Sequence, residues 1–154
     1  MTLKPLRAAF AAGAFAFATA AAPAVAQQLR VVLKGHDPVA YFTDGKPVKG
    51  DPKISYEWDE GRYHFATAKH RDMFAGDPDR YAPQYGGYCT GSMSRGVMTN
   101  EGHPEAWVIS GGRLYVFGAK DSEVAAKTRE TALSDPDYLK VRIPKAEKNW
   151  RERK

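Results

Sequence analysis

The chain has 154 residues, of which 43% are hydrophobic and 12% aromatic, and its formal net charge is +5. This length suits one domain with one hydrophobic core. The chain contains one cysteine, which excludes an intramolecular disulfide and therefore a small scaffold held together by disulfides. It contains no nucleic-acid-binding motif, so we expect no nucleic-acid partner.

Residues 1–26 have the pattern of a secretory signal peptide. Lys4 and Arg7 precede an apolar run of Ala and Phe, which ends in the small-x-small triplet Ala24-Val25-Ala26. The run is shorter than the roughly 20 residues that a membrane-spanning helix needs. We therefore predict export to the periplasm with cleavage after Ala26. The remaining residues, 27–154, form the predicted domain.

The first part of this domain is predicted to form strands. The segment "LRVVL" predicts a short strand, and a turn is expected at Gly-His-Asp-Pro, residues 35–38. Apolar residues then alternate along residues 54–58, a turn follows at 59–61, and Tyr63 and Phe65 resume the pattern, which predicts a β-hairpin. His64 lies between these two apolar residues and is expected to face solvent.

Helices are predicted on either side of a second hairpin. Thr67 is a candidate N-cap for a helix that ends at Gly76, and Asp77-Pro78 predicts a further helical turn. The segment "EAWVISGGRLYVFG" predicts the hairpin, and the next helix is expected to stop near Asp135-Pro136. A short tail helix anchored by Trp150 completes the prediction. The fold class is therefore α+β, with two hairpins and two or three helices.

The C-terminal tail is strongly basic. Residues 140–154 contain seven basic and two acidic residues. Without the predicted signal peptide the net charge is +3, because Lys4 and Arg7 leave with it, so the rest of the domain is close to neutral. Such a tail is typical of a solvated helix, and the alternative is contact with an anionic surface or partner.

Three segments together resemble a known family. They are "GHDPVAYF", "YHFATAKHRDMF" with "DPDRYAPQYGGYC", and "PEAWVISGGRLYVF". In combination they resemble the exported, stand-alone members of the YHS-domain family, from about Lys34 to Phe117 and more loosely to Trp150. The resemblance implies a small α+β module related to the metal-binding YHS and metallochaperone-like domains attached to copper-transporting ATPases.

The chain departs from the thiolate pattern of those attached domains. Where they carry cysteines, this sequence has Ala40, Ala66 and His70. Alanine cannot bind a metal, and a structural zinc site needs four ligands. The exported members carry a Gly-Gly-Tyr-Cys segment instead, which here ends at Cys89. Thiolate, thioether and imidazole groups together suit copper, and the candidate metal ligands are Cys89, His36, Met93, His70 and His103.

Tyrosines crowd the sequence around the cysteine. We predict that Tyr41, Tyr85 and Tyr88 form the wall of a pocket around Cys89 and contribute to cofactor binding. The alternative is that they pack in an aromatic core, with their hydroxyl groups bonded to the backbone. Both interpretations remain open from the sequence.

Three functional hypotheses follow. The first is a periplasmic, non-catalytic protein that carries or buffers a metal ion, with copper as the first choice. Its partner is then a periplasmic protein or a membrane transporter, and two chains of a homo-oligomer can share the metal. The second is a non-catalytic module that binds a small organic ligand, a non-covalent haem-type cofactor or a protein partner, with a purely structural Cys89. The third, an enzyme with Cys89 as nucleophile, requires a base such as His36 or His70 nearby, and we predict that the protein is not an enzyme.

Overall fold

The structure, a computed structural model, describes residues 28–98 and 100–153. The predicted signal peptide lies outside these residues. Over the described residues the chain is α+β, as predicted, with a three-stranded and a two-stranded sheet. None of the helices in these two ranges has the length and apolar character that crossing a membrane requires.

The first sheet contains the predicted N-terminal hairpin. Its strands are β1 (Arg30–Val31), β2 (Asp51–Trp58) and β3 (Gly61–Phe65), in the order β1-β3-β2. Strands β2 and β3 are antiparallel, with Tyr56 opposite Tyr63, and β1 runs parallel to β3. Between β1 and β2 lie a first 3₁₀ turn (Val32–Gly35) and the single-turn helix α1 (Ala40–Thr43).

His64 on β3 does not face solvent as predicted, since only 9% of it is exposed. The backbones of Gly35 and Gly50 cover it: a Cβ built on Gly50 would lie 2.8 Å from the Cβ of His64, and one on Gly35 would lie 3.0 Å from its Nδ1. The alternation of apolar residues along β3 correctly placed His64 on the face of the strand opposite Tyr63. That face is buried as well, so His64 does not reach solvent. Burial lowers the pKa of His64, with Lys49 and Arg62 adding to the effect.

The second sheet is the predicted C-terminal hairpin, β4 (His103–Ser110) and β5 (Arg113–Phe117). Alternate side chains on the two strands point to opposite faces. Trp107, Leu114 and Val116 pack into one hydrophobic core with the first sheet. Ala106, Val108, Tyr115 and Phe117 pack into a second core with the C-terminal helices. The hairpin therefore lies between two cores and is buried on both faces.

The remaining helices begin at identifiable caps. They are α2 (Ala68–Gly76), α3 (Pro78–Tyr81), α4 (Thr90–Met93), α5 (Ser122–Ser134) and α6 (Pro136–Arg151), with a second 3₁₀ turn at Gln84–Gly87 before α4. The predicted caps of α2 and α3 are confirmed: Thr67 accepts a hydrogen bond from the His70 backbone N–H, and Asp77 accepts one from that of Arg80. Helix α5 ends where predicted.

The tail helix is longer than predicted. Helix α6 has 16 residues, starts at Pro136 with Asp135 as its cap, and continues through Pro144. Proline inside a helix removes one backbone hydrogen bond. The helix continues because its inner face, including Ile143, Ala146 and Trp150, packs against the second core. Burial along this face outweighs the local cost of the proline.

Candidate ligand-binding cavity around Cys89

Cys89 lies at the start of α4, directly after the second 3₁₀ turn. Its Sγ accepts a hydrogen bond from the Ser92 backbone N–H at 3.4 Å, and its own N–H donates to the Asn100 carbonyl at 2.9 Å. Only 7% of the residue is exposed. The cysteine is thus fixed at both its backbone and its sulfur.

Two left-handed turns support this segment. Leu33 and Lys34 have φ values of 54° and 50°, and Tyr85 has a φ of 57°. Left-handed non-glycine residues persist only where the surrounding structure holds them, and they cluster at functional sites. The two turns pack together at Gly87, where a Cβ would lie 3.0 Å from a methyl carbon of Val32. This packing places Lys34 beside the Cys89 segment.

The thiol lines a surface cavity of about 680 Å³. Its wall combines α4 and the turn that follows it, the end of β5 with the next loop, and side chains of α5 and α6. This volume lies within the roughly 300–1,000 Å³ that is typical of small-molecule sites. The apolar part of the wall consists of Phe117, Ala119 and Val124, together with the backbone at Gly91 and Gly118.

The cavity carries an excess of positive charge. Its lining includes four basic side chains: Lys34, Arg95, Lys120 and Arg142. The one acidic residue in the lining, Glu101, forms an ion pair with Arg30 at 3.0 Å. Within residues 28–98 and 100–153, neither Arg95 nor Arg142 has a carboxylate partner within salt-bridge distance.

The two arginines are held beside polar groups of the same wall. An Arg95 Nη lies 3.5 Å from the Ser92 hydroxyl oxygen, and the Asn100 side chain donates to that oxygen at 3.3 Å. Arg142 donates to the Tyr138 carbonyl at 3.0 Å, and its guanidinium carbon lies 3.8 Å from the centre of the Tyr138 ring. Both guanidinium groups are therefore oriented without being neutralised.

Tyr138 shares the electrostatic environment of the thiol and the arginines. Burial raises the pKa of its hydroxyl, Arg142 and Arg95 lower it, and Cys89 raises it. The phenol is therefore protonated at neutral pH, so Tyr138 adds a neutral hydrogen-bond donor to the residues that line the cavity.

The structure does not bring the five predicted metal ligands together at one place. Met93 is 2% exposed and packs in the second core. His36 Nδ1 lies 3.0 Å from the Leu33 carbonyl, and His103 Nδ1 accepts from the Glu105 backbone N–H at 3.3 Å. Of the five candidates, only Cys89 lines the cavity. The described residues contain no group of three or more His, Cys, Asp or Glu side chains placed to hold a metal ion.

His36 and His103 are close enough for their charges to interact. Burial is the largest effect on His36 and lowers its pKa, the bond to Leu33 raises it, Lys49 lowers it, Glu105 raises it, and His103 lowers it. The net effect favours the neutral imidazole.

His70 takes part in a different arrangement, a pair with Asp37. Its Nδ1 lies 2.7 Å from a carboxylate oxygen of Asp37, which is completely buried. The same oxygen accepts from the Ala66 backbone N–H at 2.8 Å, and the other accepts from Val39 at 2.9 Å. Residues 37–39, Ala66 and His70 therefore come together around an Asp–His pair.

The predicted tyrosines do not line the Cys89 cavity within the described part of the chain. Tyr41 packs edge-on against Trp107 at 5.1 Å, and its hydroxyl donates to the Pro104 carbonyl. Tyr85 packs in the second core, and Tyr88 lies under the Arg30 guanidinium, 4.4 Å from ring centre to guanidinium carbon. Burial raises the pKa of both Tyr41 and Tyr85. These contacts correspond to the aromatic-packing alternative.

A second cavity, of about 660 Å³, lies on the outer side of α5. Within the described part of the chain, its lining has one basic side chain, Arg129, and two acidic ones, Glu105 and Glu130. The Arg129 guanidinium also stacks over Trp107 at 4.5 Å. The excess is one acidic side chain, smaller than the basic excess of the Cys89 cavity, which is therefore the stronger candidate.

The sequence did not reveal Arg95, Tyr138 and Arg142 as site residues. They are far apart along the chain and belong to no spacing motif. The only available signal was the excess of basic residues after residue 139, and a solvated helix explained that excess equally well. Comparisons with protein-family models, curated proteins and solved structures found no match for this chain. The resemblance to YHS domains therefore stays a prediction.

Proposed function

We propose that the protein is a non-catalytic binding module that holds a small organic anion in the cavity around Cys89. The observation that carries this proposal is the convergence of four basic side chains, Lys34, Arg95, Lys120 and Arg142, on one cavity. Among the described residues its lining has one acid, Glu101, which is paired with Arg30, and Lys120 is the one of the four that has a carboxylate, Asp121, within 4 Å. Like charges that face one cavity repel each other when the cavity is empty. An anion relieves this repulsion and gains charge-assisted hydrogen bonds.

The polar groups between the arginines favour an oxyanion. Guanidinium groups present paired N–H donors that match the two oxygens of a carboxylate or phosphate. The Tyr138 hydroxyl adds a neutral donor to the same wall. The site therefore offers more donors than acceptors, as an oxyanion requires.

The surroundings of the thiol support binding rather than nucleophilic catalysis. A cysteine nucleophile is activated by an adjacent base or another group that lowers its pKa. None of the four described histidines lines the cavity, and His70 is bonded to Asp37. The sulfur accepts a hydrogen bond from the Ser92 backbone N–H, which cannot act as a base.

Calorimetric titration with citrate, as a small organic anion, tests the proposal. We expect wild type to bind citrate and the double variant Arg95→Gln/Arg142→Gln to bind at least about 10-fold more weakly. Lys145→Gln removes one charge from an exposed position on α6, outside the cavity lining, and is the matched control. Equal losses in the two variants would contradict a specific site, because they would show attraction to the general surface charge.

Copper binding by Cys89 is a second proposal, favoured by the position of the thiol in a cavity wall. Cu(I) prefers soft thiolate ligands. An anaerobic titration against a competing chelator separates the alternatives. Tight binding that is lost in Cys89→Ser supports a copper carrier, whereas equal binding by both proteins leaves the cysteine with a packing role.

A further inference from the structure

We infer that the ligand is an amphipathic organic acid, with its carboxylate between Arg95 and Arg142 and its apolar body against the wall formed by Gly118, Ala119 and Val124. This inference rests on the proposed function, since it names the ligand class for the same cavity. It adds that the cavity has a second half, and that this half is apolar and adjoins the sulfur of Cys89.

The charged half of the cavity adjoins the thiol. A Cβ built on Gly91 would lie 3.7 Å from the Cys89 sulfur and 3.9 Å from an Arg95 Nη. The thiol and the guanidinium therefore approach the same point of the α4 backbone. Tyr138 and Arg142 complete this half from α6.

The apolar half begins on the other side of the sulfur. A Cβ built on Gly118 would lie 3.4 Å from the Cys89 sulfur. Phe117 lies behind this surface, 1% exposed, and packs edge-on against Tyr138 with ring centres 5.3 Å apart. The apolar surface itself is formed by Gly118, Ala119 and Val124 from α5. The absence of side chains at Gly91 and Gly118 leaves space on both sides of the thiol.

A ligand that is only charged or only apolar can use one half of the cavity but not the other. A fully polar anion such as citrate satisfies the arginines and leaves the apolar wall hydrated, so that this wall contributes nothing to binding. An uncharged apolar molecule covers the wall and leaves the guanidinium groups without an anion. A carboxylate on an apolar body uses both halves at once.

Three probes separate the contributions: 2-naphthoate, its uncharged analogue 2-naphthamide, and citrate. Fluorescence titrations follow the two naphthalene compounds, and calorimetry follows citrate. We expect 2-naphthoate to bind at least about 10-fold more tightly than either of the other probes, because only it has both a carboxylate and an apolar body.

Glycine substitutions test the position of the apolar body without changing any charge. Gly118→Ala and Gly91→Ala each place a methyl group beside the sulfur, at ordinary contact distance, and neither glycine has a left-handed φ. We expect Gly118→Ala, in the apolar half, to weaken 2-naphthoate binding by about 10-fold through lost space and to leave citrate binding unchanged. Gly91→Ala lies beside Arg95 and should weaken the binding of both anions. Gly76→Ala is the control, because nothing lies within 4 Å of its added Cβ.

The outcomes distinguish this inference from the proposed function. If citrate binds as tightly as 2-naphthoate and the binding depends on Arg95 and Arg142, the anion site stands and the amphipathic ligand is wrong. If 2-naphthoate binds tightly but Gly118→Ala binds it like wild type, the apolar body does not lie beside Cys89. If 2-naphthamide equals 2-naphthoate, or if no probe binds, both proposals are overturned.

Discussion

Asp37 accepts hydrogen bonds from three separate segments of the chain. It is completely buried and accepts hydrogen bonds from the backbone N–H groups of Val39 and Ala66 and from the His70 imidazole. These contacts join the turn before α1, the end of β3 and the first turn of α2. A buried carboxylate with this many donors is a structural group, and removing its charge leaves the donors without a full acceptor set.

We predict that Asp37→Asn lowers the free energy of unfolding by about 2 to 4 kcal/mol, because the amide cannot accept at both oxygen positions. Urea unfolding at pH 7 measures the change. Asp72→Asn is the matched control, since Asp72 is exposed and pairs with Arg71 on the surface. The control should change stability by less than about 0.5 kcal/mol, and similar losses in the two variants would contradict the structural role of Asp37.

His64 gives the stability a dependence on pH. Burial, Lys49 and Arg62 lower its pKa below the ordinary value of 6.5, so the folded protein binds fewer protons than the unfolded chain. This contribution to stability is complete above about pH 6.5 and is lost as the pH falls through the folded pKa. We predict that wild type loses more stability between pH 7 and pH 5.5 than His64→Gln does. Parallel losses in urea unfolding would show that another group is responsible.

For single helices, local sequence patterns predicted the N-caps but not the length of helix α6. The N-caps Thr67 and Asp77 were predicted correctly because capping is local chemistry. The tail helix was predicted to be short, and its full length was not predicted, because packing against the second core decides where α6 begins and carries it through Pro144. Local rules fail where tertiary burial opposes them.

We predict that Pro144→Ala stabilises the protein by about 1 to 3 kcal/mol, because alanine restores the missing backbone donor and has a higher helix propensity. The residue is exposed, so the substitution removes little packing. Thermal unfolding followed by circular dichroism measures the change. A lower midpoint would mean that α6 needs a bend at Pro144 to place its inner face on the core.

On the scale of the whole molecule, the β4–β5 hairpin joins two cores that the sequence did not separate. Its apolar run predicted a hairpin, and the run is almost continuous because both faces are buried. The cavity lies where the two left-handed turns, α4 and α6 meet the end of this hairpin. Its residues are brought together by tertiary contacts, so Cys89 was found from composition and Arg95 and Arg142 were not.

Close packing at Gly102, just before β4, holds the hairpin against the second 3₁₀ turn. A Cβ on Gly102 would lie 2.3 Å from a methyl carbon of Val116, and the Gly102 N–H donates to the Gly87 carbonyl at 2.9 Å. We predict that Gly102→Ala destabilises the protein by about 1 to 3 kcal/mol through overpacking. Gly76→Ala, which meets no neighbour, should change unfolding far less. Equal unfolding midpoints would show that the junction has room to adjust.

We propose above that an anionic ligand with an apolar body occupies the cavity around Cys89. The most direct test follows backbone amide signals in two-dimensional NMR spectra of the ¹⁵N-labelled protein during titration with 2-naphthoate. We expect saturable shifts concentrated at Cys89, Ser92 and Gly118, which disappear in Arg95→Gln/Arg142→Gln. Shifts confined to other surfaces, or shifts that persist in the double variant, would contradict it.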